Sequence, residues 1–186
     1  MSRRVPGPHA ANAASPADLK ELYARRASAI AKRPALGQGG GCARVRLTAG
    51  LACQVEMGER TAIVDLPPAD GGNGTGPAPD ELMRAALGAA LAQGYRLWAA
   101  RLDVTLDEIQ IEIVTEHDSR GPLGVSADVA VGWQSLHVAV TVVTAATEDE
   151  VRAVITLANR RSAELANLAP AVAQIHDLTV IRLRRA

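Results

Sequence analysis

The chain has 186 residues, enough for one domain with a sizeable core. Twenty Lys and Arg balance twenty Asp and Glu, so net charge makes no electrostatic case for nucleic acid or an anionic membrane. Phe is absent and aromatics are 2% of residues, which leaves Ala, Val, Leu and Ile to build the core and excludes an aromatic and basic surface for single strands.

Two cysteines, Cys42 and Cys53, make no disulfide framework in a chain of this length. Residues 1–14 lack both a hydrophobic h-region and an amphipathic pattern, so they read as a disordered tail of a cytoplasmic protein rather than a targeting segment. Order is expected from Ser15, where Ser15, Pro16 and Asp18 supply an N-cap, a first-position proline and a first-turn acid. Leu19, Leu22, Tyr23 and Ile30 form an apolar stripe, and Pro34 ends the helix. Residues 15–36 therefore read as a helical arm that packs on the domain or on a partner subunit. Its stripe is too sparse in large side chains for a membrane-surface helix.

Gly37 to Gly41 form a flexible joint, and a domain is expected from 42 to 186. Three strands follow in 43–49, 52–58 and 60–66, split by hairpin-compatible Ala49-Gly50 and Gly58-Glu59. Val45 and Leu47 alternate with Arg44 and Arg46, so one face is wet. With the turn at Ala49-Gly50, Cys53 pairs near Leu47, about five residues from Cys42. At ~3.3 Å per residue that separates the two cysteines by roughly 16 Å, beyond the ~7 Å Cα limit of a disulfide. The loop GGNGTG lacks a following GK[ST] and the dinucleotide-binding spacing, so it reads as a connector rather than a phosphate cradle.

Pro79, Asp80 and Glu81 open a helix predicted over 79–101, the proline at its first position and the acids at the positive end of its dipole. No charge occurs between Ala85 and Tyr95, which implies burial, yet the run is far short of the ~20 apolar residues that span a bilayer. Ala86, Ala90 and Gly94 repeat every four residues and leave one face bare enough for another helix to approach closely. Beyond it, Ile109, Ile111 and Ile113 alternate in a strand over 107–116, and Leu136, Val138, Val140 and Val142 in one over 136–144. Glu116, His117 and Asp118 point to alternate sides of an extended segment and have no second His at ligand spacing, so no metal site or cofactor is expected.

Thr147 and Glu150 form a capping box that opens a helix with Val151, Val154, Ile155, Ala158, Ser162 and Leu165 on one stripe. Ser162 thus falls on the buried face. Its hydroxyl is expected to bond the carbonyl one turn earlier, although an interior reactive residue would be held in the same place. A last strand is predicted over 175–183, ahead of Arg184 and Arg185. The order α–βββ–α–ββ–α–β is an α+β arrangement of mostly antiparallel strands and two long central helices.

The run GPAPDELMRAALGAALAQGYRLWAARLDVTLDEIQIEI, followed by HDSRGPLG, resembles the OsmC/Ohr family of thiol-dependent hydroperoxide reductases. The similarity covers most of the chain from about Cys42. It implies an intertwined homodimer whose long helices pack at the centre, with the active site at the subunit interface. It also places the family's peroxidatic cysteine at Ala90 and its second cysteine at Ser162. Asp80 or Glu81 stands where the family's orienting glutamate lies. The family's arginine comes from the first sheet, where Arg44, Arg46 and Arg60 are candidates.

A thiol peroxidase needs a thiolate to attack peroxide and a second thiol to resolve the sulfenic acid. Ala90 offers no nucleophile, and Ser162 is a poor substitute for sulfur. The expectation is a family scaffold that has lost peroxidase activity and binds an apolar or oxidised small molecule as a dimer. The alternative is an active hydroperoxide reductase using a relocated cysteine, with Cys53 in the sheet that supplies the family's arginine.

Overall fold

A computed structural model describes residues 14–168; the predicted last strand and nearly all of the predicted tail lie outside the described residues. Helix α2 (Pro79–Arg101) is the element against which most others pack. Leu87, Leu91, Tyr95 and Ala99 recur every four residues and are all buried, so one stripe of the helix lies in the core. Strands β4 (Glu108–Glu116) and β5 (Ser135–Val143) pair antiparallel beneath it. Ile109 lies opposite Val142, Ile111 opposite Val140 and Ile113 opposite Val138, which gathers six branched side chains on the face toward α2. Gly88 permits a close approach, since a Cβ there would sit 3.4 Å from the Ile113 side chain.

Helix α3 (Glu148–Arg160) closes the core with Val154 and Ala158. The Thr147 hydroxyl accepts from the Glu150 N–H at 3.3 Å, and the Glu150 carboxylate accepts from the Thr147 N–H at 2.8 Å, as the capping box requires. The Tyr95 hydroxyl donates to Asn159 Oδ1 at 2.9 Å and joins α2 to the end of α3.

The first sheet stands apart from this core. Strands β1 (Arg44–Leu47), β2 (Cys53–Met57) and β3 (Arg60–Val64) form an antiparallel meander in which Leu47 opposes Cys53 as expected. The alternating pattern puts Val45, Leu47, Cys53, Val55, Ala62 and Val64 on one face. Among the described residues no helix and no strand of the second sheet packs extensively on that face. Val45 and Leu47 are 61% and 60% exposed, so at β1 the expected inner face is uncovered among the described residues.

Helix α1 (Pro16–Lys32) begins with a second capping box, Ser15 with Asp18, and ends before a 3₁₀ turn over Pro34–Gly37. It lies along α2, with Lys20 Nζ 2.5 Å from Asp103 Oδ2. Leu19, Tyr23 and Ile30 are half-buried as the stripe predicts, but Leu22 is exposed.

Three further expectations change. The uncharged stretch of α2 is not mostly buried: Ala85, Ala86, Ala89 and Gln93 face solvent, because no element among the described residues covers that side. Leu136 is exposed at the end of β5, past the part of the sheet that α2 covers. The helix expected to carry Ser162 stops at Arg160, and a separate short helix α4 (Ala163–Asn167) starts beyond Ser162.

Leu91→Ala empties the centre of this core and is expected to cost about 2–5 kcal/mol in chemical denaturation. Val45→Thr, on the uncovered sheet face, is expected to change the stability of an isolated chain by less than about 0.5 kcal/mol.

Candidate functional site

The glycine loop between β3 and α2 folds around a carboxylate. Asp65, 1% exposed at the end of β3, accepts from the Leu66 N–H at 2.9 Å, the Asn73 N–H at 3.1 Å, the Thr75 N–H at 3.1 Å and the Thr75 hydroxyl at 2.8 Å. The loop's donors are thus spent on an internal anion, which agrees with a connector. Sequence reading missed Asp65, whose partners lie eight and ten residues away. Gly72 and Gly76 make this wrapping feasible: a Cβ would lie 1.9 Å from the Leu66 carbonyl oxygen at one and 2.1 Å from that of Ile63 at the other. The bond from the Thr75 N–H, helped by Thr75 Oγ1, Asn73 and Leu66, outweighs burial and holds the Asp65 carboxyl below the ordinary carboxylate range.

The loop delivers the chain to the start of α2. Glu81 accepts from the Ala78 N–H at 2.8 Å, so this carboxylate caps the helix. Asp80 pairs with Arg84 at 2.8 Å, and Arg84 also reaches the Thr115 hydroxyl at 3.4 Å. Burial raises the Asp80 pKa, but Arg84 and the helix-start N–H groups more than compensate and leave it below the usual value.

Ala90 and Ser162 come together. Both line a cleft of about 260 Å³ between α2, the end of α3 and α4, with Gln93, Gly94, Leu97 and Trp98 among its walls. Ser162 does not bond the carbonyl one turn earlier. Its hydroxyl caps α4, accepting from the Leu165 N–H at 3.2 Å, and lies 3.3 Å from Glu164 Oε2. Trp98 is steadied by Arg101, whose guanidinium carbon stands 4.1 Å from the ring centroid.

The carboxylates do not join this cleft. Asp80 is ten positions before Ala90 on one helix, about 15 Å along its axis. Asp80 and Glu81 instead line a larger cleft of about 1000 Å³ with Arg84, His117, Trp133 and Ser135. Arg44, Arg46 and Arg60 line neither cleft; Arg46 bonds Gln54 across the first sheet at 2.7 Å. The arginine beside Ala90 and Ser162 is Arg161, which nothing in the sequence singled out.

Cys42 is exposed and Cys53 half-buried, and neither lines the Ala90 cleft. Glu116 accepts from the Ser135 hydroxyl at 2.9 Å, and Asp118 binds Arg120 at 2.6 Å. These partners give the D-x-R-G turn a structural role. Arg120 holds the Asp118 carboxyl below its ordinary range, and a Cβ on Gly121 would meet the Ala130 carbonyl oxygen at 2.6 Å.

Residues 71–174, more than half of the chain, match the family model described as OsmC-like protein. The chain belongs to the OsmC-like family. No curated protein matches it. Among solved structures, an OsmC-like protein from Mycoplasma pneumoniae has a TM-score of 0.63 at 12% identity, covering 72% of this chain and 90% of that one. An OsmC-like protein of unknown function from Vibrio cholerae has a TM-score of 0.59 at 12% identity, over 71% and 95% of the two chains. An organic hydroperoxide resistance protein OsmC from Legionella pneumophila has a TM-score of 0.52 at 18% identity, over 71% and 90%. At these identities the likeness establishes the α+β OsmC-like fold. No described helix is long and apolar enough to cross a membrane.

Because the folded-state pKa of Asp65 is depressed, its stabilising contribution is present above the unfolded value near 3.8 and is lost as pH falls through the folded value. Asp65→Asn is expected to lower the melting temperature at pH 7 and to flatten its decline below about pH 4. Thermal unfolding monitored from pH 7 to pH 2 checks both.

Proposed function

We propose that this OsmC-like protein is a cytoplasmic homodimer that no longer reduces hydroperoxides and instead holds a small apolar or oxidised molecule in the cleft beside Ala90. The observation that carries the reading is the meeting of Ala90 and Ser162 at one cleft that contains no sulfur. Peroxide reduction by a protein thiol transfers oxygen to a thiolate and then needs a second thiol to release water and close a disulfide. A methyl group and a capping hydroxyl supply neither step. What remains is a concave surface whose floor is small and apolar, at Ala90, Gly94 and Leu97, and whose rim carries Gln93, Arg161 and Glu164, suited to a compact ligand with an apolar body and a polar end.

The dimer is supported by two surfaces that lack partners among the described residues. One is the apolar face of the first sheet, with Val45, Leu47 and Met57 exposed. The other is the small-residue side of α2 at Ala85, Ala86 and Ala89. Exposed apolar surface on this scale favours association over a solvated monomer. A second copy would cover both through the close helix approach that alanine permits.

A second reading keeps the reductase activity with Cys53 as its thiol. Its support is that Cys53 lies half-buried on the same apolar sheet face as Val55.

Dithiol-dependent consumption of cumene hydroperoxide, measured beside Cys42→Ser/Cys53→Ser, separates the two. The expected result is no turnover in either protein, whereas turnover that disappears in the double variant would establish the relocated thiol. In Ala90→Cys/Ser162→Cys, the shared cleft is expected to allow a disulfide, read by thiol titration, at a cost in melting temperature from the lost Ser162 cap. Sedimentation equilibrium is expected to give twice the chain mass, and a monomer at micromolar concentration would overturn the dimer.

A further inference from the structure

Zero net charge conceals a partition. Residues 1–41 carry seven Lys and Arg against two acids, and residues 42–186 carry thirteen against eighteen. The positive charge is thus concentrated in the segment that precedes the three-stranded sheet, and a charge asymmetry of this kind signals an anionic partner more directly than the total does.

In the fold this charge converges on one place. The last two turns of α1 and the 3₁₀ turn over Pro34–Gly37 enclose a concavity of about 620 Å³, lined by Arg25, Ser28, Lys32 and Arg33 with Ala24, Ala29 and Leu36. None of its lining residues is acidic. The turn folds back tightly, for a Cβ on Gly37 would come 3.1 Å from Ile30 Cγ2. Lys32 and Arg33 also offset the negative end of the helix, but that effect fades within the last turn, so Arg25 is surplus to it. Arg25 meets Glu21 at 3.0 Å in a pair whose side chains are 69% and 68% exposed, an arrangement that water and a competing anion readily replace.

We propose that this concavity on the N-terminal arm binds a compact polyphosphate anion. Arg25 and Lys32 lie seven residues apart on one helix, about 10 Å along its axis, which is more than one carboxylate bridges but suits a chain of phosphates. The forked guanidinium groups of Arg25 and Arg33 match phosphate oxygens bidentately, Lys32 adds a point charge, and the Ser28 hydroxyl donates between them. No aromatic side chain lines the concavity, so the phosphate chain and not an attached base is recognised. The site lies on the arm, before the family-matched residues 71–174, and is independent of the cleft beside Ala90.

Isothermal titration of the full chain with inorganic triphosphate at low salt tests the site. Saturable binding at one equivalent per chain is expected, weakening as salt rises. The Arg25→Ala/Lys32→Ala/Arg33→Ala variant is expected to bind at least tenfold more weakly with unchanged circular dichroism. Arg26→Ala, whose side chain lies off the concavity, is expected to bind as the wild type does. Amide resonances of Ser28 and Leu36 should shift on titration. Absence of saturable binding at millimolar triphosphate, or equal binding by the triple variant, overturns the proposal. So does binding of a 20-base-pair duplex that triphosphate does not displace.

Discussion

The carboxylate of Asp65 sets conditions that the rest of the chain must satisfy. A buried charge is tolerated only when its oxygens are fully engaged, and Asp65 is engaged by four donors drawn from both sides of one loop. That requirement curls the glycine segment back on β3 and brings Gly72 and Gly76 against main-chain carbonyls where no larger residue fits. The chain then leaves the loop in one direction only, and Ala78 enters α2 with its N–H held by Glu81. From that start the 3.6-residue period decides which positions meet the sheet and which meet α3. Ala90 reaches its cleft because Leu87 and Leu91 are fixed on the adjoining, buried side.

The candidate site residues are divided between two clefts. Ala90 and Ser162 face one cleft, while Asp80 and Glu81 line another near the start of α2. Each carboxylate also has local work, Glu81 as a cap and Asp80 as the partner of Arg84. Their presence is therefore accounted for by helix stability alone and does not by itself signal surviving catalysis.

Local signals were legible in the sequence, and long-range ones were not. The capping boxes at Ser15 and Thr147, the bounds of α2 and the Leu47–Cys53 register each follow from residues within a few positions of one another. Asp65 escaped notice because its meaning depends on a loop that must first fold. The burial expected for all of the uncharged stretch of α2 is not met for a related reason: absence of charge marks residues that tolerate cover, but not which element packs on each side. Ser162 was misplaced because Val151, Val154, Ile155, Ala158 and Leu165 keep a helical period across a break that periodicity cannot detect. The Ser162 hydroxyl accepts from the Leu165 N–H as an N-cap, and here that bond outweighs the continuing stripe.

That break constrains which side chains the cleft can carry. The Ser162 hydroxyl is now part of the architecture, since it starts α4 and closes one wall of the cleft. Cysteine is a weaker acceptor than a hydroxyl, so a sulfur at this position would loosen one wall of the cleft. Ala90 carries no such obligation. The two positions therefore differ in what they can accept: one is free to change, and the other is held by the helix it starts.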